Sequence, residues 1–313
     1  MIIEDLISVV IATYNGSRYL EEQLTSIFNQ TYKNFEVIVC DDISTDDTIK
    51  ILQEYEKKYR LRYYVNESRL GVVKNFEKAI TYAQGKYIAL SDQDDIWKPE
   101  KLELSLHLLK AIEQKDGEGK PALVFSDLAV VDDNLNIINN SYWDYMKLNP
   151  KNTQLNRVLV ENVVTGCTAL MNKATIDMAL PIPKDAMMHD VWFLLVASYF
   201  GNVSYLLNRT VLYRQHTNNV VGAHQATLYQ KIKSGILKIK NNDFLLLGPE
   251  IKQASSFYNA YIDKLSNQPN KLKILKAFIA IKDSSFLEKK YLIIKHQFYR
   301  CTLKKTVNIL LRA

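Results

Sequence analysis

The chain has 313 residues, 47% of them apolar, and a formal net charge of +6. That length allows one large or two modest domains with a sizeable core. No run of eighteen apolar residues occurs, the acidic start Met1-Ile2-Ile3-Glu4-Asp5 lacks a basic signal region, and Cys40, Cys167 and Cys301 are scattered, so a membrane-spanning helix, a secretion signal, a disulfide framework and a zinc site are not expected. The charge is uneven. From Gln225 onward there are 17 Lys and Arg against 5 Asp and Glu, a balance of +12, which leaves −6 for the rest.

In chain order the acidic part reads as alternating strands and helices. Ile7 to Ala12 is a continuous β-branched run, hence a buried strand. The polar turn Thr13-Tyr14-Asn15-Gly16 follows. Tyr19, Leu20, Leu24, Ile27 and Phe28 then recur at helical spacing. Phe35 to Cys40 is a second strand, and Asp41 to Asp47 a polar turn in which Ser44 or Thr45 can cap the next helix. Leu61 to Val65 is a third strand. The Val73, Phe76, Ile80 spacing predicts a helix closed by Gly85. Tyr87 to Leu90 is a fourth strand, ending in Ser91-Asp92-Gln93-Asp94-Asp95-Ile96-Trp97. Repeats in this order imply a doubly wound, mostly parallel sheet of the α/β class. Beyond Pro99 come an amphipathic helix (Leu102 to Ile112) and a strand (Ala122 to Ser126) that Leu128 to Val131 continue. A strand from Val163 to Met171, a helix from Val191 to Phe200, and two short strands, Val203 to Leu206 and Thr210 to Tyr213, complete this part.

The chemistry gathers at strand ends. Three carboxylates, Asp92, Asp94 and Asp95, fall within four residues, and such a cluster repels itself unless a cation or donors sit among them. Mg²⁺ and Mn²⁺ take oxygen ligands of this kind together with substrate phosphates. Asp41 and Asp42 end the second strand, and Thr13, Tyr14 and Asn15 the first; strand ends on one edge of a parallel sheet converge on one cleft. An aromatic ring can stack on a base while a carboxylate accepts from its N–H, and a cation on Asp94 would hold a diphosphate. These residues describe a nucleotide-diphosphate site without a glycine-rich loop. Neither GxGxxG nor GxxxxGK(S/T) occurs, which argues against dinucleotide-binding dehydrogenases and P-loop enzymes.

The stretches ISVVIATYNG, VCDDISTDDT and GKYIALSDQDDIW together resemble glycosyltransferase family 2 enzymes of the GT-A fold, over about the first 220 residues. SDQDDIW, VTGCTALMN, MMHDVWF and YRQHTNN look most like bacterial polysaccharide rhamnosyltransferases. The resemblance implies that Tyr14 and Asp42 bind the nucleobase. It makes Asp92 and Asp94 the DxD pair, touching ribose and metal respectively. Lys74 stands near the nucleotide, and Asp190, opening a late helix, is the general base. Asp190 could instead be a plain helix cap. Arg214 and His216 either contact the diphosphate or the metal, or form a surface loop. Asp95 and Glu161 are the fallback bases.

The C-terminal part reads as basic and helical. Leu228, Ile232, Ile236 and Ile239 share one face, with Lys231, Lys233, Lys238 and Lys240 around it, and Leu287 to Leu311 again mixes apolar residues with lysine. Such helices fit an anionic membrane surface, or else pack on the body with a solvated lysine face. A nucleic-acid partner is not expected, because the acidic part offers no matching basic face. A homo-oligomer is left open. The expected organisation is a catalytic domain over 1–222 and a basic amphipathic region over 223–313, in a cytoplasmic protein peripheral to the inner face of the membrane. The expected reaction is inverting, Mn²⁺- or Mg²⁺-dependent transfer of a sugar, with L-rhamnose from dTDP-rhamnose foremost and a UDP-hexose donor second, to a growing polysaccharide or lipid-linked acceptor. A sugar-phosphate nucleotidyltransferase and a receiver-like signalling module are the rivals. The first would want a basic, glycine-rich phosphate loop after the first strand. The second would want its acidic pair there.

Overall fold

A computed structural model describes residues 5–216 and 247–312. The lysine face of residues 231–240 lies outside the described residues. The described chain divides into two compact units. The first comprises the chain up to Tyr142, Val164–Ile182 and 188–216, and the second Trp143–Val163, Pro183–Met187 and 247–312.

The first unit is built on one mixed sheet. Its strands are β1 (Ile7–Thr13), β2 (Phe35–Asp41), β3 (Leu61–Val65), β4 (Tyr87–Ser91), β5 (Ile96–Trp97), β6 (Ala122–Val131), β7 (Ile137–Asn139), β8 (Leu170–Asn172) and β9 (Asn202–Arg214). Its order is β3-β2-β1-β4-β8-β6-β9-β5, with β7 paired to β6. β1 lies parallel to both β2 and β4, and β2 parallel to β3. This is the doubly wound pattern that the four strand–helix repeats predict. The β-branched runs of β1 and β2 explain it, because every residue of β2 and all but Ala12 of β1 are buried. The helices α1 (Leu20–Phe28), α2 (Thr48–Lys58), α3 (Val72–Thr81) and α4 (Lys101–Asp116) cross between the strands. Because β1, β2 and β4 run the same way, their C-terminal ends open on one edge.

Several expectations change on the structure. The apolar run from Val163 to Met171 is not one strand. Gly166–Thr168 forms a 3-10 turn, with Thr168 Oγ1 donating to the Thr165 carbonyl, and only Leu170–Asn172 pairs, antiparallel to β4 and β6. The two short late strands are one bulged strand, β9, parallel to β6. Neither Ser44 nor Thr45 caps α2, which starts after Asp47. Gly85 lies beyond the end of α3. It serves close approach instead: a Cβ there would stand 2.6 Å from the Ser8 amide nitrogen.

The remaining helices are α5 (Tyr142–Met146), α6 (Leu155–Val158), α7 (Lys173–Ala179), α8 (His189–Phe200), α9 (Gly248–Ala260), α10 (Ile262–Leu265), α11 (Pro269–Ala280), α12 (Phe286–Lys295) and α13 (Leu303–Arg312). In the second unit Phe257, Leu275, Phe278, Ile293 and Phe298 are buried, and the Phe278 and Phe298 rings meet edge to face at 5.0 Å. Proline starts α9 and α11, and Ser285 with Glu288 forms a capping box on α12. Arg300 pairs with Glu250 at 2.9 Å, and Lys305 with Glu161 at 2.6 Å. Among the described residues, no helix is long and apolar enough to cross a membrane.

Candidate active site

Every candidate residue in the described chain except the fallback base Glu161 lies in the first unit, where four turns and one helix end meet. The turn after β1 is held from two sides. Asn15 adopts φ 48°, a left-handed conformation that asparagine tolerates. Its amide donates to Ser44 Oγ at 2.8 Å, and its side-chain oxygen accepts from the Thr45 amide at 2.8 Å. Ser44 and Thr45 therefore fasten the first turn to the second. From the other side, Gln93 grips the Tyr14 main chain, accepting from its amide at 2.9 Å and donating to its carbonyl at 3.2 Å. The glycine after Asn15 is required by this grip, since a Cβ at Gly16 would lie 2.4 Å from Gln93 Oε1. Thr13 points away from solvent and donates to Asp41 Oδ2 at 2.8 Å. Tyr14 itself remains 38% exposed.

Asp42 is almost fully buried. Its Oδ1 accepts from the Leu70 amide at 2.7 Å and from Asn66 Nδ2 at 3.0 Å, and its Oδ2 from the Gly71 amide at 2.9 Å. Burial alone would raise its pKa. The bonds from Leu70, Asn66 and Gly71, with Arg69 nearby, outweigh it and hold the carboxyl below the usual range. Arg69 lies 3.4 Å from Asp42 Oδ2, and its guanidinium covers the Tyr14 ring 3.4 Å from the centroid.

The acidic turn after β4 is the most crowded part. The half-buried Asp92 carboxyl is pushed up to about 7 by burial, then by Asp94 and Asp190. Asp95 is fully buried; burial and then Asp94 and Asp92 push it well above the carboxylate range. One of its oxygens accepts from the Arg214 amide at 3.2 Å, and the other is a buried atom without a hydrogen-bond partner. Asp94 Oδ2 lies 2.8 Å from His216 Nε2. Below them sits Lys101, fully buried, with its ammonium 3.8 Å over the Trp97 ring and its pKa drawn down to about 8 by burial, against Cys167 and Asp95.

Arg214 is buried at the end of β9. Its Nε donates to the Asp94 carbonyl at 3.0 Å, Nη1 to the Asp133 carbonyl at 2.6 Å and Nη2 to Glu22 at 2.5 Å, while the guanidinium lies 4.5 Å over the Tyr19 ring. A guanidinium so engaged is a brace for the acidic turn, and reaching a diphosphate would break those bonds. Lys74 is likewise engaged, with Glu77 at 2.7 Å and the Ile182 carbonyl at 2.7 Å. In both residues the charge expected near the nucleotide is spent on protein partners.

Asp190 opens α8, and its Oδ1 accepts from the Val191 amide at 2.8 Å. Asp190 is therefore not the helix cap, since Met188 holds that position without a side-chain capping bond; Asp190 stands in the first turn and acts electrostatically on Asp92. His189 beside it is buried and stacks on Phe76 at 4.1 Å, with both ring nitrogens lacking a partner. Burial holds it neutral, with a pKa lowered to about 3. Gly166 leaves room for both: a Cβ there would be 3.1 Å from His189 Nε2 and 3.5 Å from the Asp190 Cβ. The fallback bases are poorly placed. Asp95 has no exposed surface, and Glu161, in the second unit, is paired with Lys305.

Sequence reasoning did not single out Gln93, Arg69, Lys101, Tyr19 or Glu22. Gln93 sat in plain view inside the acidic motif, and a lysine two residues after proline at a helix start is an ordinary surface pattern. Only the fold reveals these two as a clamp and a buried counter-charge.

The donor set suits a hard cation. Ligand atoms of Asp92, Asp95 and Cys167 all lie within 4.8 Å of one another, and Asp94 with His216 stands alongside. The unpartnered Asp95 oxygen is an orphaned acceptor of the kind a cation or water satisfies. Burial, then Asp95 and Asp92, keep Cys167 a protonated thiol, so oxygen atoms dominate the set.

Comparison with known proteins gives the family and the fold. Residues 8–176 match the family model described as glycosyl transferase family 2. RfbG of Shigella flexneri, a dTDP-rhamnosyl transferase, is 31% identical over 253 residues, covering 73% of this chain and 79% of that protein. The putative glycosyltransferase EpsE of Bacillus subtilis (strain 168) is 35% identical over 126 residues, 40% of this chain; the match spans less than half, 45%, of that relative. The crystal structure of S. aureus TarS 1-349 in complex with UDP shares the fold, with a TM-score of 0.57 at 18% identity, covering 91% of this chain and 90% of that one. The mixed sheet with its flanking helices is the GT-A arrangement, and the chain belongs to glycosyltransferase family 2.

Proposed function

We propose that this chain is a glycosyltransferase that takes a sugar from a nucleotide-diphosphate donor and joins it, with inversion, to a glycan or lipid-linked acceptor. One observation carries the reading: Asp92, Asp94 and Asp95 crowd a single turn, and Asp190 acts on Asp92 from another element, with burial first and then Asp94 and Asp190 pushing the Asp92 carboxyl up to about 7. Like charges gathered in this way are arranged for a cation and for proton transfer.

In this reading Tyr14 stacks on the base, Asp42 accepts from it, and Thr13 and Asn15 hold the turn that presents Tyr14. Asp92 faces the ribose. A divalent cation, Mn²⁺ or Mg²⁺, held by Asp94 with Asp92 and His216, supplies positive charge to the leaving diphosphate. Arg214 keeps Asp94 and Asp95 in place, and Lys74 lies at the edge of the nucleotide site. Asp190 takes the proton from the acceptor hydroxyl. The freed oxygen attacks the anomeric carbon on the face opposite the diphosphate. Base catalysis and electrostatic stabilisation thus fall to different elements.

For the donor, dTDP-L-rhamnose is favoured by the name and the coverage of RfbG. A UDP-hexose is the second reading, favoured by the TarS complex with UDP-GlcNAc, which shares the fold. We assign catalysis to residues 1–222 and acceptor-side or membrane contact to 223–313. Exposed Leu287, Tyr291 and Ile294 on α12, with Lys289, Lys290 and Lys295 beside them, support contact with an anionic bilayer at the inner face of the cell membrane. A thermal-shift panel of dTDP-, UDP- and GDP-sugars with Mn²⁺ tests the donor reading. Stabilisation by one of them, dependent on Mn²⁺, is expected, and none by any would sink it.

A further inference from the structure

Asp42 offers about four lone-pair sites as a carboxylate. Leu70, Asn66 and Gly71 fill three of them. Arg69 Nε lies against the fourth, at 3.4 Å from Oδ2. The same guanidinium lies on the Tyr14 ring, 3.4 Å from its centroid. Its side chain is nevertheless 55% exposed.

We propose that Arg69 is an internal stand-in for the nucleobase, occupying the base subsite until a nucleotide displaces it. A guanidinium is planar and delocalised and carries N–H donors in its plane. Its carbon and nitrogens take the place of a base ring stacked on Tyr14, and its Nε–H that of a ring N–H aimed at Asp42. A base cannot stack on Tyr14 on that face, nor reach the last lone pair of Asp42, while the guanidinium remains. Because the arm is largely solvated, it can swing out without disturbing the buried bonds that fix Asp42. The contact keeps Asp42 satisfied in the empty site and sets a threshold that the nucleotide must exceed. This inference rests on the nucleotide-sugar reading above.

The test is calorimetric titration of the full chain with UDP and with dTDP at fixed Mn²⁺, using the wild type, R69A and R69K. Removing the competitor should tighten the nucleotide Kd about two- to tenfold, the worth of an exposed cation–π contact with a weak ion pair. R69K, which keeps the charge but loses the plane, should follow R69A. Weaker binding by R69A would make Arg69 a direct ligand contact and overturn the proposal. So would an unchanged Kd, or R69K behaving as the wild type. Binding by none of the three proteins would overturn the nucleotide reading itself, whereas wild-type binding with an unaltered variant Kd overturns the stand-in alone.

Discussion

Replacing Arg214 by methionine should unfasten the acidic turn, and the size of the effect follows from its contacts. The side chain is 3% exposed and donates to the carbonyls of Asp94 and Asp133 and to Glu22. Each hydrogen bond from a charged donor to a buried carbonyl contributes about 1.5–3 kcal/mol. The Glu22 side chain is 55% exposed, so that pair adds at most about 1 kcal/mol. Methionine restores part of the apolar contact with Tyr19 but none of the donors. The expected loss is therefore about 3–5 kcal/mol, a large share of the roughly 5–15 kcal/mol that holds a domain folded. R214K should recover little, because an ammonium cannot serve three diverging acceptors as a planar fork does. Urea denaturation measures the loss, and Mn²⁺ titration under folding conditions measures the looser turn. A destabilisation under about 1 kcal/mol with Mn²⁺ affinity intact would refute the brace.

Other outcomes follow from neighbouring contacts. Asp94→Asn removes the carboxylate proposed to hold the cation and should abolish Mn²⁺-dependent tightening of donor nucleotide, read by calorimetry with and without the metal. Asp92, held near 7, must lose a proton before it accepts a cation, so Mn²⁺ affinity should fall by up to about tenfold per pH unit below pH 7. His189 has a native pKa of about 3 against roughly 6.5 unfolded, so its contribution to stability is present above pH 6.5 and is lost as pH falls towards 3, at about 1.4 kcal/mol per unit. The difference between wild type and H189F, measured by denaturation across that range, should carry that slope, and a flat difference would contradict the buried neutral imidazole. Gly16→Ala should displace the Gln93 clamp and weaken nucleotide binding, with a Kd equal to wild type as the contrary result.

Much of the fold was legible because it rests on local signals. The β-branched runs of β1 and β2 and the acidic ends of β2 and β4 follow from side-chain type and spacing alone. The stretch from Val163 to Met171 misled for the same reason: its apolar run satisfies burial in a 3-10 turn as well as in a strand, and only packing decides between them. The places of Tyr14 and Asp42, directly after β1 and β2, could be read from the strands before them. Arg214 could not be assigned its partners, because Glu22 lies 192 positions away and Asp133 81. Arg69 left no trace in the sequence, since its place over Tyr14 depends on how the loop before α3 folds back onto β2.

The proposed role of Asp190 as the base of an inverting transfer is tested by one variant. Asp190→Asn keeps the volume and the bond from the Val191 amide but removes the proton acceptor. Transfer to acceptor and affinity for the donor nucleotide are measured separately. A base role predicts an unchanged donor Kd and a turnover lowered about 10²–10⁴-fold. Wild-type turnover in Asp190→Asn would contradict it.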